Sequence, residues 1–236
     1  MPARSAVLYN PMNGTSGKAC LRQNNGKAEV YLQLVSGESV ILRTFTEVDV
    51  QAPEWRYPAV SEGAVELSGL WNLRFLESIP EVHNLPDSVS LGSWTDVSFE
   101  NAKTTMGTGC YTTTFRIENP ASAQDWLLSL GDVRESARIR INGREITTLW
   151  AVPYSCSVGQ YLLPGKNTLE IEVTNLPANR IADMDCRGVK WRIFKDINIA
   201  ALGYKKGTYA HWAPVPSGLL GPVRIVPLKL INKEIQ

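Results

Sequence analysis

The chain has 236 residues, with 24 basic side chains against 23 acidic ones and a net charge of +1. So even a balance supplies no field to hold nucleic acid or an anionic membrane surface. The longest apolar runs, such as Trp126-Leu127-Leu128, fall far short of the roughly 20 residues a membrane helix needs.

Residues 1–52 read as a small separate unit. Asn25-Gly26 and Ser36-Gly37 predict two hairpins in a three-stranded meander: a strand near Cys20, one from Glu29 to Leu34 and one from Ser39 to Phe45. Val30, Leu32 and Leu34 share one face, which three short strands do not bury alone. The unit therefore needs a cover, either the main sandwich or a domain outside this chain. Residues 53–64 read as a linker, because Pro53 and Pro58 confine the backbone of Pro53-Glu54-Trp55-Arg56-Tyr57-Pro58.

Residues 65–236 form the main domain, expected as two antiparallel sheets. Trp71, Leu73 and Phe75 mark an early strand, Tyr111 to Ile117 another, and Trp126 to Leu130 a short buried one. Ala137, Ile139 and Ile141 alternate with Arg138 and Arg140, and Leu169, Ile171 and Val173 alternate with Thr168, Glu170, Glu172 and Thr174. Period-two patterns of this kind belong to half-buried strands. Asn142-Gly143 predicts a tight hairpin and Pro164-Gly165 a type II turn. Only Asn179 to Phe194 suggests helix, as short turns around Ile181–Asp185 and Val189–Lys195. Gly221 to Leu230 is expected as the last strand, with Pro222 and Pro227 indicating an edge or bulged position.

The strand ending in Asn142-Gly143 and the later Pro164-Gly165-Lys166-Asn167 turn resemble the sugar-binding jelly roll of family 2 glycoside hydrolases. An ordered series of further pieces resembles the C-terminal part of family 106 α-L-rhamnosidases: Ser93-Trp94-Thr95, Gly109 to Phe115, Asn179 to Asp183, Val189 to Phe194 and Ser217 to Val223. The resemblance runs from about Trp71 to Leu228. It implies an all-β fold: a galactose-binding-like jelly-roll sandwich preceded by the meander, the latter as the end of a preceding domain. It also implies that the chemistry belongs to an upstream α/β barrel, for which this chain has no room. Implied partners are a plant-type polysaccharide or oligosaccharide and the missing catalytic domain, with self-association through residues 1–52 as the alternative. The start Met1-Pro2-Ala3-Arg4-Ser5 has no apolar signal region. As written it predicts a cytoplasmic chain, whereas membership of a longer enzyme predicts export and a truncated N-terminus.

Constellations that carry chemistry are sparse. His83 and His211 have no second histidine or acidic partner at metal-ligand spacing, and Ser217-Gly218 lacks a nucleophile elbow. Cys20, Cys110, Cys156 and Cys186 show no Cys-x-x-Cys spacing and read as small apolar residues, with a disulfide left open. Glycoside hydrolysis needs two carboxylates about 5 to 10 Å apart. Glu170 and Glu172 project from one strand roughly 7 Å apart, but among Thr168 and Thr174 they read as a solvated sheet surface. Asp183 and Asp185, near Arg180 and Arg187, read as ion pairs or a cap, with a structural calcium ion as the one cofactor to consider.

Sugar recognition requires flat apolar faces and fixed polar groups. Trp71 and Trp126 fall on strands and read as core. Trp150, Tyr154 and Trp191 lie in or beside loops, close in sequence to Arg134, Asn179 and Arg180; with Asp183 they make the candidate carbohydrate-binding set. The leading reading is a non-catalytic sandwich of a larger glycoside hydrolase, against an independent carbohydrate-binding module and a purely structural interaction domain.

Overall fold

The computed structural model describes residues 3–191 and 207–231. Seventeen strands, one α-helix and two single-turn 3-10 helices, Pro120–Ser122 and Gly159–Tyr161, are found there. The N-terminal unit holds β1 (Ser5–Tyr9), β2 (Ser16–Lys18), β3 (Leu21–Asn24), β4 (Lys27–Val30) and β5 (Ile41–Phe45). The sandwich holds β6 (Pro58–Val60), β7 (Val65–Glu66), β8 (Asn72–Ile79), β9 (Met106–Ile117), β10 (Asp125–Ser129), β11 (Asp132–Arg134), β12 (Ser136–Ile141), β13 (Arg144–Leu149), β14 (Ser155–Ser157) and β15 (Gly165–Thr174). The helix α1 (Ala178–Cys186), β16 (Gly218–Gly221) and β17 (Arg224–Leu230) complete it.

One five-stranded sheet has the order β13-β12-β15-β9-β8; the facing sheet runs β14-β10-β17-β6, with β7 also on β17, and β11 pairs with β16. Every pairing is antiparallel except two isolated bridges. Ile139, Ile141, Leu169, Ile171 and Val173 are all fully buried in the core between the sheets, as their alternation requires. The fold is an all-β sandwich of antiparallel sheets.

Its two motif turns are cross-linked. Asn142 and Gly143 both take positive φ, 53° and 76°, the geometry that matches a hairpin turn to strand twist. Asn142 Nδ2 donates to Asn167 Oδ1 at 2.8 Å, and Asn142 Oδ1 accepts from Thr168 N at 3.0 Å. Asn167, fully buried, also donates to the Leu163 and Gly165 carbonyls. These asparagines hold the two turns together instead of facing a ligand.

The last strand corrects the edge expectation. β17 lies inside its sheet, between β10 and the short strands β6 and β7. Pro227 is tolerated because its carbonyl accepts from Ser61 N at 2.9 Å, so its own nitrogen faces the same side. There the partner is interrupted between Val60 and Val65, and the missing N–H falls in the gap.

The N-terminal unit also differs from a simple meander. β3 and β4 do form a hairpin through Asn25-Gly26, but the three-stranded sheet is β2-β1-β5, with β5 paired to β1 and not to β4. The strand Ser5–Tyr9 supplies the centre, burying Ala6 and Leu8 against Ala19 with Leu21, Val30, Val40 and Trp55 packed around them. Leu32 and Leu34 lie beyond β4 and are exposed, so no common face with Val30 exists. Residues 53–64 are tied to both units: Trp55 N donates to the Lys18 carbonyl, the Tyr57 hydroxyl accepts from Cys20 N, and Pro58–Val60 is a strand of the main sheet.

The two hydrophobic clusters nonetheless stay separate among the described residues. Deleting residues 1–52 is therefore expected to leave the sandwich folded and more monodisperse, because the exposed Leu34, Val35, Ile41 and Val48 go with it. Light scattering and thermal melts on both chains check this, and loss of the sandwich transition in the truncated chain would merge the units.

On the outer face of the main sheet, Glu172 departs from the solvated reading. It is buried beneath Arg138, whose Nε donates at 2.8 Å, and Arg140, whose Nη1 contacts the other carboxylate oxygen. Burial alone would raise this carboxyl, but the hydrogen bonds from Arg140 and Arg138 outweigh it and hold its pKa below the ordinary value. A lowered folded pKa gives stability that is complete above the unfolded carboxyl value and is lost as pH falls through the folded one. Glu172→Gln should cost about 1.5–3 kcal/mol at neutral pH and flatten the decline of Tm on acidification below about pH 4.5. Parallel Tm-against-pH profiles for both proteins test it.

Candidate functional site

Four connections meet at one end of the sandwich. Arg134 of β11 opposes Gly218, and Ser136 opposes Thr174, so the β11–β12 junction, the end of β15 and the start of β16 are neighbours. The β13–β14 connection joins them because the Leu130 amide donates to the Tyr154 carbonyl and the Tyr154 hydroxyl donates to the Glu135 carbonyl. Asn179, in the first turn of α1, completes the end by clamping residues 215–217. Its Nδ2 donates to the Val215 carbonyl and its Oδ1 accepts from Val215 N, both at 2.8 Å.

The fold thus brings most of the sequence-selected residues to one end while assigning several of them other work. Tyr154 is only 7% exposed with its hydroxyl committed to backbone, so it is a wall and not a stacking platform. Asn179 is likewise buried and spent on backbone. Arg134 forms a two-pronged ion pair with Asp132, Nε to Oδ1 and Nη2 to Oδ2, each 2.7 Å. Trp150, by contrast, stands 64% exposed at the start of the β13–β14 connection.

A second cluster gathers around α1. Asp183 accepts from Arg180 and Arg187, each at 2.8 Å. Asp185 accepts from Trp191 Nε1 and Tyr209 N at 2.7 Å, and from the Thr208 hydroxyl at 3.3 Å. With two guanidinium groups on one carboxylate and N–H and O–H donors on the other, this donor set does not fit a calcium ion. No group of three or more His, Cys, Asp or Glu stands ready for a metal among the described residues. The second turn expected at Val189–Lys195 lies mostly outside the described residues.

Sequence reasoning missed Trp212. Its ring sits 4.5 Å from that of Tyr209, which lies 6.3 Å from Trp191, and it is 45% exposed. The available signal was the density of aromatics in Tyr209-Ala210-His211-Trp212. Of the cysteines, Cys110 and Cys156 are the apolar, inert kind, and burial pushes the Cys156 thiol up to about 12. Cys186 differs: it is exposed at the end of α1, with its thiol on the Ala210 carbonyl.

Three motifs of the resemblance converge beneath this end. Trp94 Nε1 donates to the Tyr111 hydroxyl at 2.6 Å, and that hydroxyl accepts from Leu219 N at 3.1 Å. Trp94 N donates to the Ser217 carbonyl, while Ser217 N donates to the Ser93 hydroxyl. Burial pushes the Tyr111 phenol up to about 12, against the lowering effect of Leu219 N and Trp94, so it stays protonated and keeps its place in the chain of bonds.

Residues 99–213 match the family described as glycosyl hydrolase 2 galactose-binding domain-like. A protein of Formosa agariphila named "Putative beta-glucuronidase" is 30% identical over 179 residues, covering 68% of this chain and 15% of its own length. The solved structure of a rhamnosidase from Novosphingobium sp. PP1Y superposes with a TM-score of 0.69 at 24% identity, over 96% of this chain and 21% of that one. The second likeness is one of fold. The family match makes residues 99–213 galactose-binding-like, of the glycosyl hydrolase 2 kind, and the chain spans about a fifth or less of the length of these two relatives.

Proposed function

We propose that this chain is a non-catalytic β-sandwich part of a larger, α-L-rhamnosidase-like glycoside hydrolase, bracing a catalytic domain outside the chain and lending its loop end to carbohydrate. The observation that carries this reading is where the carboxylates go. Glu172 is sealed under two arginines, Asp183 is neutralised by two more, and Asp185 is consumed by N–H and O–H donors. Of these three, none is left as an acid poised opposite a base, while Trp150 and Trp212 keep exposed faces of the kind a pyranose stacks on.

The purified chain is expected to turn over no aryl rhamnoside, galactoside or glucuronide, and to bind rhamnose or pectic oligosaccharides in the millimolar range at best, since few ligand atoms are desolvated. Tryptophan fluorescence titration, with Trp150→Ala and Trp212→Ala as controls, measures the second part. Turnover abolished by Glu170→Gln or Asp183→Asn would overturn the assignment. Specific, tight binding of free sugar would favour an independent carbohydrate-binding module.

A further inference from the structure

The N-terminal unit touches the sandwich at a point far from the linker in sequence. Gly37 sits against Val152 of the β13–β14 connection: a Cβ added at Gly37 would meet Val152 Cγ2 at 2.5 Å, and the Val152 Cβ and carbonyl oxygen at 3.1 Å. Its φ of +87° also favours glycine. Both the backbone shape and the close approach therefore exclude a side chain.

Residues 31–38 span from the linker to this contact. At the near end, the Tyr31 and Tyr57 rings meet edge to face with centroids 5.1 Å apart, and the Tyr57 hydroxyl donates to the Tyr31 carbonyl at 3.3 Å. Tyr57 is buried and tied to the sandwich, where its carbonyl accepts from Ile231 N at 2.8 Å. At the far end, Val35 to Glu38 closes as a turn: Glu38 N donates to the Val35 carbonyl at 3.0 Å, and Val35 N to the Glu38 carboxylate at 3.1 Å. Between these anchors Leu32, Leu34 and Val35 are exposed. The span is thus held by its ends and not by burial of its large apolar side chains.

The loop it reaches is the one that carries Trp150. The base of that loop is fixed, since Leu149 and Tyr154 are buried and Leu130 N donates to the Tyr154 carbonyl. Its tip is open, with Trp150 and Val152 64% and 56% exposed. So exposed a tip loses conformational freedom when anything binds it, and a fixed neighbour reduces that loss.

We propose that residues 31–38 are a positioning element for the β13–β14 loop, so that Trp150 is presented by both units together and not by the sandwich alone. This rests on the reading of the loop end as the working end of the domain. Gly37 acts through Val152 and touches nothing bound at Trp150. Residues 99–213, the stretch that matches the glycosyl hydrolase 2 family, include the loop but none of residues 31–38, so the support comes from outside the matched domain.

The test is fluorine NMR of the whole chain labelled with fluorotryptophan, the Trp150 signal being assigned from Trp150→Phe. It needs no ligand, so a failure to bind carbohydrate would count against the proposed function and not against this inference. Gly37→Ala should shift and broaden the Trp150 signal, while those of the buried Trp71 and Trp94 hold. Val152→Ala, a change at an exposed residue that does not threaten folding, should perturb the same signal by removing the contact. Amide exchange at residues 150–152 should quicken by about fivefold or more in either variant. The double variant adds one methyl where two are lost, and should lie nearer the wild type than either single one. Gly26→Ala controls for strain: its φ is +76° with nothing within 4 Å of the added Cβ, and the Trp150 signal should not move. A Trp150 signal indifferent to Gly37→Ala and Val152→Ala, an equal response to Gly26→Ala, or a double variant that sums the two single effects would each overturn the proposal.

Discussion

Ile171→Asp should abolish the cooperative fold. Ile171 is fully buried on the inner face of β15, the middle strand of the sheet β13-β12-β15-β9-β8, opposite Ile139 on one side and Tyr111 on the other. Losing the aliphatic side chain forfeits about 1.5–3 kcal/mol of apolar burial. An uncompensated carboxylate at such a site costs about 3–5 kcal/mol more. Neighbouring inward residues Leu169 and Val173 offer no donor, and the arginines of β12 that could pair with a carboxylate, Arg138 and Arg140, are already committed on the opposite face to Glu172. The combined penalty is comparable to the entire stability of an ordinary domain, about 5–15 kcal/mol. Ile171→Val, which removes one methylene, should cost only about 0.5–1.5 kcal/mol. Near-UV circular dichroism and thermal melts distinguish the two, and an unchanged Tm in the aspartate variant would mean that this face of β15 is not core.

The contrast between Ile171 and Glu172 marks how far sequence carried the reading. Alternation along β12 and β15 predicted the inner face residue by residue, because a strand's period is fixed by its geometry and inner positions tolerate little but apolar side chains. The outer face was less legible. Glu170 and Glu172 occupy equivalent positions in the pattern, opposite Arg140 and Arg138 respectively, yet Arg140 reaches diagonally to Glu172, so that Glu172 alone takes both arginines, and that cross-strand choice is one no single strand encodes. Pro227 misled for the same reason: its missing N–H argued for an edge, and the break between β6 and β7 that accommodates it is visible only once the strands are paired.

The N-terminal unit illustrates a different loss of information. Asn25-Gly26 correctly closed the β3–β4 hairpin, but local turn chemistry says nothing about which distant strand a sheet will recruit. Ser5–Tyr9 inserts between β2 and β5 across some 35 residues of sequence and takes the centre of that sheet. At the loop end, the chosen residue types were brought together, but burial decided their roles. Tyr154 and Asn179 satisfy backbone groups that would otherwise be orphaned, leaving Trp150, and the unselected Trp212, as the exposed aromatics.

Gly218→Ala should be severely damaging for so small a substitution, because it strikes the point where three separated segments are tied together. Gly218 has φ of +101°, so any side chain is strained there. Its added Cβ would also meet Trp94 Nε1 at 2.5 Å and the Tyr111 hydroxyl at 2.7 Å, the two atoms that bond to each other. Backbone strain contributes about 1–3 kcal/mol, and separating the pair leaves a buried donor unpaired at about 1–3 kcal/mol more. Two comparisons isolate these effects. Gly143→Ala introduces a Cβ at φ of +76° with nothing within 4 Å, so it carries the strain without the contact and should cost about 1–2 kcal/mol. Tyr111→Phe keeps the ring but removes the acceptor for both Trp94 Nε1 and Leu219 N, at about 1–3 kcal/mol for each group left unpaired. Denaturant unfolding should rank Gly218→Ala and Tyr111→Phe well below Gly143→Ala in stability. A double variant of Gly218→Ala with Tyr111→Phe should lose less than the sum, since both break the same bonds. Full additivity would show that Gly218 acts through its backbone alone, and that the Trp94–Tyr111–Leu219 chain is not what joins β9, β16 and the segment around Trp94.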